Sequence, residues 1–99
     1  MEDGDLAIVD VDLHAFQVVA SKRLLATAVV RIEIDGVEML VHGLRLVERQ
    51  GRAEIEFPRY RDEGGQWREA LSLPAELIPP IRTLIADEAE ARGLVEQVR

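Results

Sequence analysis

Apolar and polar residues alternate from residue 28 to residue 57, and two turn signals divide this stretch into three runs. The turn signals are Asp35-Gly36 and Gln50-Gly51, because a two-residue type I′ turn needs positive φ at both central positions. These turns place apolar residues opposite one another in five pairs: Ile34 with Val37, Ile32 with Met39, Val30 with Val41, Leu46 with Ile55, and Leu44 with Phe57. A one-residue slip would turn every pair to the other face. The pattern therefore predicts an antiparallel meander in this register.

The middle strand of the meander changes phase at His42-Gly43. Inward-facing positions are odd-numbered from 37 to 41 and even-numbered from Leu44 onward. A β-bulge adds one residue to a strand and shifts its phase in this way, and glycine removes the steric cost. We expect a bulge here, with the His42 side chain either hydrogen-bonded to the backbone at the bend or in a polar contact at an oligomer interface.

Further strands are predicted on both sides of the meander. Residues 6–13 alternate apolar and acidic positions, which is typical of a strand with one wet face. Residues 17–23 are expected to connect this strand to a long strand over residues 24–34. Pro58 ends the third strand of the meander, residues 58–66 are expected to be an arginine-rich loop, and residues 67–73 a return strand.

Helical spacing begins in the last quarter of the chain. Pro74 can begin a short helical turn, and Pro80 suits the first position of a longer helix that Gly93 would end. The apolar stripe of this helix would be Ile81, Leu84, Ile85 and Ala89. Because the strands precede the helix, we expect an α+β fold: an antiparallel β-meander of about five strands followed by a C-terminal helical segment.

Length and composition are those of one small domain without a cofactor. The chain has 99 residues, of which 47% are hydrophobic, enough for a single core. We expect a frayed tail over residues 1–5, an antiparallel sheet over 6–73, a helical segment over 74–93 and a tail over 94–99. With no Cys and two distant His, a metal site is not expected. The acidic start is unlike a signal peptide and no run could cross a bilayer, so we expect a cytoplasmic protein without a membrane partner.

The outer face of the meander carries a thin apolar patch. Val29, Leu40 and Val47 lie on the side away from the expected core, and the register places His42 opposite Val29. Scattered apolar surface residues are common. The alternative is that a second chain or the helix covers this face, which makes Val29, Leu40 and His42 the candidate residues of a homodimer interface.

Charge is unevenly distributed along the chain. The formal net charge is −7, which argues against a strongly basic nucleic-acid binder. Residues 1–12 hold five acids and no base, and residues 72–99 hold three Arg and five acids. Residues 39–61, in contrast, hold five Arg and three Glu. An anion-binding surface is therefore expected on the meander and the loop that follows it.

Signals for catalysis are weak. The carboxylate pairs Glu54/Glu56 and Asp10/Asp12 fit solvated strand faces, with Arg45 as a neighbour of Glu56. The hydroxyl groups of Ser21, Ser72 and Thr27 have no base that the sequence reveals, and phosphate-binding and zinc motifs are absent from the sequence. The sequence thus predicts neither an enzyme nor a small-molecule substrate.

Arginine and aromatic residues cluster after the meander. Arg59 and Arg61 flank Tyr60, and Trp67 and Arg68 follow shortly after. Guanidinium groups contact phosphates, and aromatic rings stack on bases. Arg59, Arg61 and Arg68 are therefore candidate nucleic-acid contacts. The alternative is that Trp67 belongs to the core and that Arg61 pairs with a neighbouring carboxylate, Asp62 or Glu63.

An ordered set of residues resembles the stage V sporulation protein G (SpoVG) septation-regulator family. The set comprises Ala28, Val30, Ile32, Gly36, Val41, His42, Gly43, Arg45, Leu46, Val47, Phe57, Pro58, Arg61, Gly65, Trp67, Arg68, Glu69 and Pro74. The resemblance covers about residues 8–89. It implies a small α+β homodimer that regulates septation, sporulation or cell division in bacteria by binding DNA or RNA.

The chain also departs from the pattern of that family. The family usually has Asp after the His, where this chain has Gly43, and a Ser-Lys-Arg loop where this chain has residues 59–61. Its helical region is more basic, whereas this chain carries Asp87, Glu88 and Glu90. These departures favour an alternative, a dimeric protein-interaction module that has lost nucleic-acid binding and presents its acidic helix to a partner.

Overall fold

The computed structural model describes residues 9–19 and 21–95, which form two antiparallel sheets and a C-terminal helix. The elements are β1 (Val9–Val18), β2 (Leu24–Ile34), β3 (Val37–Arg49), β4 (Arg52–Glu56), β5 (Arg59–Arg61), β6 (Trp67–Glu69), a 3₁₀ turn (Ala75–Leu77) and α1 (Ile78–Ala91). The first four strands form one sheet in the order β1-β2-β3-β4, and β5 and β6 form a separate hairpin. The α+β fold with a meander and a C-terminal helix is confirmed, although the strands divide into four and two.

Both two-residue turns have the expected backbone conformation, and they set the expected register. Asp35 and Gly36 have φ of 51° and 81°, and Gln50 and Gly51 have φ of 52° and 79°. The predicted pairs Ile34/Val37, Ile32/Met39, Val30/Val41 and Leu46/Ile55 are all present. The ladder between β3 and β4 ends at Arg45 and Glu56, so Leu44 does not pair with Phe57. The strand stops there because the following Pro58 has no N–H to donate.

A bulge in β3 lies at the predicted position. Both His42 and Gly43 stand opposite Val29, since Val30 pairs with Val41 and Ala28 pairs with Leu44. Gly43 has φ of 84°, and a Cβ there would lie 3.4 Å from Cγ of Pro58. The side chain of His42 is exposed and forms no hydrogen bond with another described residue. The bend therefore depends on Gly43, and the expectation that His42 fixes it by a hydrogen bond is wrong.

Strand β1 runs further than expected because it contains a bulge of its own. The expected strand ended at Leu13, but pairing with β2 continues to Val18, and residues 17 and 18 are strand rather than connection. His14 is the additional residue, since Leu13 pairs with Val30 and Ala15 with Val29. The bulge shifts the phase, so that Phe16 turns toward the core. The expected strand start at residues 6–8, the tail over residues 1–5 and residues 96–99 of the expected C-terminal tail lie outside the described residues.

Helix α1 packs on one face of the four-stranded sheet and closes the core. Its buried residues are Ile81, Ile85 and Ala89, preceded by Leu77 in the 3₁₀ turn. The core of the sheet consists of Ala26, Ala28, Val30, Ile32, Val41, Leu44, Leu46, Ala53 and Ile55. The helix begins at Ile78, two residues before the expected start. The N–H groups in the first turn of a helix have no acceptor within the helix, so the missing N–H groups of the prolines at 79 and 80 cost no hydrogen bond there.

The end of the helix follows the expectation. Gly93 has φ of 71° and donates its N–H to the carbonyl of Glu90, and Leu94 donates to the carbonyl of Ala89. These two bonds form a Schellman motif, which satisfies the last carbonyl groups of a helix. The helix covers only part of the sheet: Val37 and Met39, at the β2–β3 turn, have the inward phase but stay exposed.

The sheet face opposite α1, called the back face below, contains an ion-pair network around Arg31. Its guanidinium binds Asp12, lies 2.9 Å from Oε1 of Glu33 and lies 3.3 Å from Oε2 of Glu38. These hydrogen bonds, the one to Asp12 foremost, raise the pKa of Arg31. Glu33 and Glu38 are direct cross-strand neighbours, and Arg31 offsets the repulsion between their charges.

Candidate functional site

Pro58 ends the meander, and the chain then forms the hairpin of β5 and β6 within the segment that was expected to be a loop. Arg59 pairs with Glu69, Tyr60 with Arg68, and Arg61 with Trp67. The Ala70 N–H donates to the carbonyl of Pro58 across 3.0 Å and closes the base of the hairpin. The expected return strand is therefore short, and it pairs with the arginine-rich segment instead of the main sheet.

Asp62 fixes the turn of this hairpin. Its carboxylate accepts a hydrogen bond from Nε of Arg68 at 2.8 Å and from the N–H of Gln66 at 2.9 Å. Its own N–H donates to the carbonyl of Gln66 at 2.9 Å. The Arg68 guanidinium and, next in importance, the Gln66 N–H lower the pKa of Asp62. Asp62 thus pairs with Arg68 rather than with Arg61, which donates Nε to the carbonyl of Gly65.

The two faces of the hairpin carry different residues. Strand alternation puts Arg59, Arg61 and Trp67 on one face and Tyr60 and Arg68 on the other. The guanidinium carbons of Arg59 and Arg61 lie 5.2 and 5.6 Å from the centroid of the Trp67 ring, within cation–π range. The structure therefore brings two of the three candidate arginines together and separates Arg68 from them.

Trp67 is an exposed residue. Its exposed fraction is 58%, because the hairpin lies apart from the helix-covered core. The interpretation of Trp67 as a core residue is therefore wrong. An indole on the surface beside two guanidinium groups is available to a planar ligand.

An open groove of about 560 Å³ lies between the hairpin and the back face of the sheet. Its walls combine positive charge with an aromatic ring and an apolar floor. The lining residues are Arg23, Gly43, Arg45, Val47, Glu48, Arg49, Glu56, Phe57, Pro58, Arg59 and Trp67. This arginine groove, as it is called below, is our candidate site.

Each arginine reaches the groove from a different part of the fold. Arg45 and Arg49 lie on the back face of β3 at alternate positions, with Val47 between them. Arg23 is held beside β3 because its carbonyl accepts the Glu48 N–H at 2.8 Å. Arg59 comes from the hairpin, which follows Pro58. The Pro58 ring lies close to β3, since a Cβ on Gly43 would be 3.4 Å from its Cγ.

Carboxylates partly neutralise the groove, and two of them, Glu48 and Glu56, are among its lining residues. Glu56 binds Arg49, and its Oε2 accepts a hydrogen bond from Nη2 of Arg59 at 3.4 Å. Glu54 lies 3.5 Å from Nε of Arg49. In the described part of the chain, no carboxylate lies within ion-pair distance of Arg23 or Arg45. A smaller depression of about 280 Å³ continues from the groove and has Glu54, Glu56 and Glu69 among its lining residues. Arg23 and Arg45 are therefore the two groove arginines without an ion pair in the described residues.

Of the four groove arginines, only Arg59 was among the predicted nucleic-acid contacts. Arg45 and Arg49 lie within residues 39–61, where an anion-binding surface was expected, and Arg23 was not predicted. The alternation of Arg45 and Arg49 on one face of a predicted strand was a signal that could have identified that pair. Val47 was expected in an exposed apolar patch, but it is 5% exposed and forms part of the groove floor. The sequence contains no signal for the burial of Val47 or for where the hairpin lies.

The candidate dimer residues lie on the back face beyond the groove. Val29 and His42 meet at the bulge of β3, and Leu40 pairs with Arg31 further along. Leu40 is 41% exposed, Val29 is half-buried and His42 is exposed. Without Val47, the apolar part of this surface is reduced to Val29 and Leu40.

Metal sites and membrane spans were searched in the same described residues, 9–19 and 21–95. These residues contain no group of three or more side chains that could hold a metal ion. None of their helices is both long and apolar enough to span a bilayer. Comparison with protein-family models, curated proteins and solved structures found no match for this chain.

Proposed function

We propose that this chain is a cytoplasmic bacterial regulator, similar to the SpoVG family, that binds DNA or RNA as a homodimer and is not an enzyme. The observation that carries the proposal is the arginine groove: four Arg line one concave surface beside an exposed Trp. The whole chain, in contrast, has a net charge of −7. Concentration of positive charge in a concavity focuses the field on an anionic ligand even when the rest of the surface is acidic.

Arginine is suited to this role because its planar guanidinium donates two parallel hydrogen bonds to a phosphate. Arg45 and Arg23 are the strongest candidates for the first contacts, since no carboxylate among the described residues lies within ion-pair distance of either guanidinium. Arg59 and Arg61 follow along the hairpin. Arg68 stays a candidate contact on the opposite face of the hairpin, where Asp62 neutralises it.

The positions of the residues that resemble the SpoVG family support the same surface. Five of them that match the family line the groove: Arg45, Val47, Phe57, Pro58 and Trp67. The same set also includes His42, one of the candidate residues of the dimer interface. If this chain and the SpoVG family bind the same class of ligand, we expect the residues in which they resemble each other to cluster around the binding groove. This supports a regulatory role in septation, sporulation or cell division over a catalytic role.

A dimeric protein-interaction module is the second candidate function. The observation that favours it is the acidic end of α1, where Asp87 and Glu90 are exposed and Glu88 is half-buried. In that case the helix would bind a basic partner, and the groove would bind no nucleic acid. Titration with nucleic acid separates the two functions.

The test is fluorescence anisotropy at low salt with labelled pools of single-stranded DNA, RNA and duplex DNA of random sequence. A double variant, Arg45→Gln with Arg59→Gln, removes two charges from the groove. Its matched control, Arg52→Gln with Arg92→Gln, removes the same charge from outside it. We expect the groove variant to lose at least tenfold in affinity at about 50 mM salt, and the control to lose less than threefold.

The single variants Arg59→Gln and Arg68→Gln then rank the two faces of the hairpin. Arg59→Gln is expected to weaken binding more, because Arg59 lines the groove and Arg68 does not. Absence of binding to all three pools would contradict the proposal and favour the protein-interaction module. Binding that is equally sensitive to both double variants would contradict the assignment of the groove.

A further inference from the structure

We infer that the arginine groove takes single-stranded nucleic acid, with an unpaired base stacked on Trp67 and the adjoining phosphates held by Arg45 and Arg59. The inference rests on the proposed nucleic-acid binding and adds the class of strand and the role of Trp67. Four observations support it: the exposure of the indole, the shape of the groove, the polarity of its floor and the charge of the helix.

The first observation is the exposed indole. Trp67 keeps 58% of its surface exposed although Arg59 and Arg61 both contact its ring. Bases stack on aromatic side chains in single-strand binding, and arginine adds cation–π attraction to the same stack. In a duplex the faces of the bases are stacked on one another and cannot reach Trp67 without unpairing.

The second observation is the concave shape of the site. Proteins read a duplex by inserting a helix or a two-stranded ribbon into a groove of the nucleic acid. Four arginines of this protein instead line a depression in its own surface. The volume of that depression is about 560 Å³, which is within the range of small-ligand pockets. A flexible single strand can enter such a depression, whereas a stiff duplex would meet only its rim.

The third observation is the apolar floor. Val47, Phe57 and Pro58 are among the residues that line the groove, as is Trp67. Apolar atoms in that position suit the face of a base and offer nothing to a phosphate. The groove therefore has a row of charge for a backbone next to an apolar surface for a base, which is the arrangement of single-strand binding sites.

The fourth observation is the charge of α1. Across residues 78–91 the helix carries one Arg, at position 82, against Asp87, Glu88 and Glu90. Such a helix would be repelled by the phosphates on both sides of a DNA major groove. The helix is thus unsuited to duplex recognition, whereas four of the arginines that can bind phosphate line the groove.

The experiment compares four labelled ligands on the wild-type protein at one salt concentration: a single strand of about 12 nucleotides, the same strand as a duplex, the same backbone with abasic sites, and a mononucleotide. We expect the single strand to bind about tenfold more tightly than the duplex and about tenfold more tightly than the abasic strand. Quenching of the fluorescence of Trp67, the only Trp in the chain, should accompany binding of the intact strand and not of the abasic strand.

Variants assign this preference to the indole. Trp67→Leu is expected to lose about tenfold in affinity for the intact strand and nothing for the abasic strand. Trp67→Phe keeps an aromatic ring and should stay within threefold of wild type. The matched control is Tyr60→Leu, which removes an exposed aromatic ring from the other face of the same hairpin and should have no effect.

Salt dependence distinguishes stacking from charge. Stacking releases no counterions, so Trp67→Leu should shift the affinity without changing the slope of log K against log salt, whereas Arg45→Gln should reduce that slope by about 0.7. Equal affinity for single strand, duplex and abasic strand would overturn this inference and leave nucleic-acid binding intact. A mononucleotide that binds as tightly as the strand would overturn it in favour of a nucleotide ligand. If no ligand binds, the proposed function fails together with the inference.

Discussion

The carboxylate of Glu56 accepts a hydrogen bond from Arg59 across 3.4 Å, and the side chain of Glu56 is only 15% exposed. The same oxygen binds Arg49. Two of the four groove arginines, Arg49 and Arg59, thus share one carboxylate. If the groove binds an anionic ligand, we expect Glu56 to compete with that ligand for both.

Removal of the charge of Glu56 is expected to increase nucleic-acid affinity. In Glu56→Gln, Arg49 and Arg59 become available to phosphates, and we expect binding about threefold tighter with a salt slope steeper by about one phosphate contact. Anisotropy titration over a series of salt concentrations measures both. Glu63→Gln is the control, since Glu63 is exposed in the hairpin turn and lines neither depression. Weaker binding by Glu56→Gln would mean that Glu56 positions the arginines productively.

A side chain at position 43 is expected to destabilise the fold. Gly43→Ala forces a left-handed backbone conformation on alanine and brings its Cβ to 3.4 Å from Pro58. We expect a loss of about 1 to 3 kcal/mol in the free energy of unfolding, measured by urea denaturation. In the control Gly64→Ala the nearest atom is an oxygen of Asp62 at 3.5 Å, and the change should stay within about 0.5 kcal/mol. Equal stability of the two variants would contradict the role assigned to Gly43.

The hairpin is expected to loosen in acid because its turn depends on an ionised carboxylate. Hydrogen bonds lower the pKa of Asp62 in the folded state, so its contribution to stability is present above the ordinary value of about 3.9 and is lost as the pH falls through the lower folded value. Fluorescence of Trp67 should report this change.

The variant Asp62→Asn tests that assignment. At neutral pH it should already show the fluorescence that the wild type reaches in acid, because Arg68 and the turn have lost their charged acceptor. Asp87→Asn, on the exposed side of α1, should titrate like wild type. A pH profile of Asp62→Asn that matches the wild type would assign the transition to other carboxylates.

The face that forms the proposed homodimer can be tested with one charge. Leu40→Asp places a carboxylate on the back face, where the candidate residues Val29 and His42 also lie, and burial of an unpaired charge is costly. We expect this variant to be a monomer in sedimentation velocity. Val37→Asp, at an exposed apolar residue of the helix-side face, should stay dimeric. If Val37→Asp were the monomer and Leu40→Asp stayed dimeric, the interface would be assigned to the helix-side face. A monomeric wild type would contradict the homodimer.

Local sequence determined the register of the meander. Asp35-Gly36 and Gln50-Gly51 set two turns with positive φ, and the alternation around them left one register with apolar pairs on one face. The bulge at Gly43 and the Gly93 stop of the helix were also predictable, because each depends on a backbone conformation that glycine adopts at low cost. These features involve residues that are close in sequence or directly cross-strand.

The candidate site depended on contacts between distant parts of the chain. Arg23, Arg45 and Arg59 belong to three segments, and Trp67 becomes an exposed wall only because the hairpin pairs with itself and leaves the core. Periodicity shows which face of a strand a residue occupies, but it does not show what covers that face. The sequence by itself thus determined the three strands of the meander, most of their register and the chemistry available to the surface. Only tertiary structure decided that four arginines and an indole share one groove, because packing of the hairpin on the sheet is set by long-range contacts.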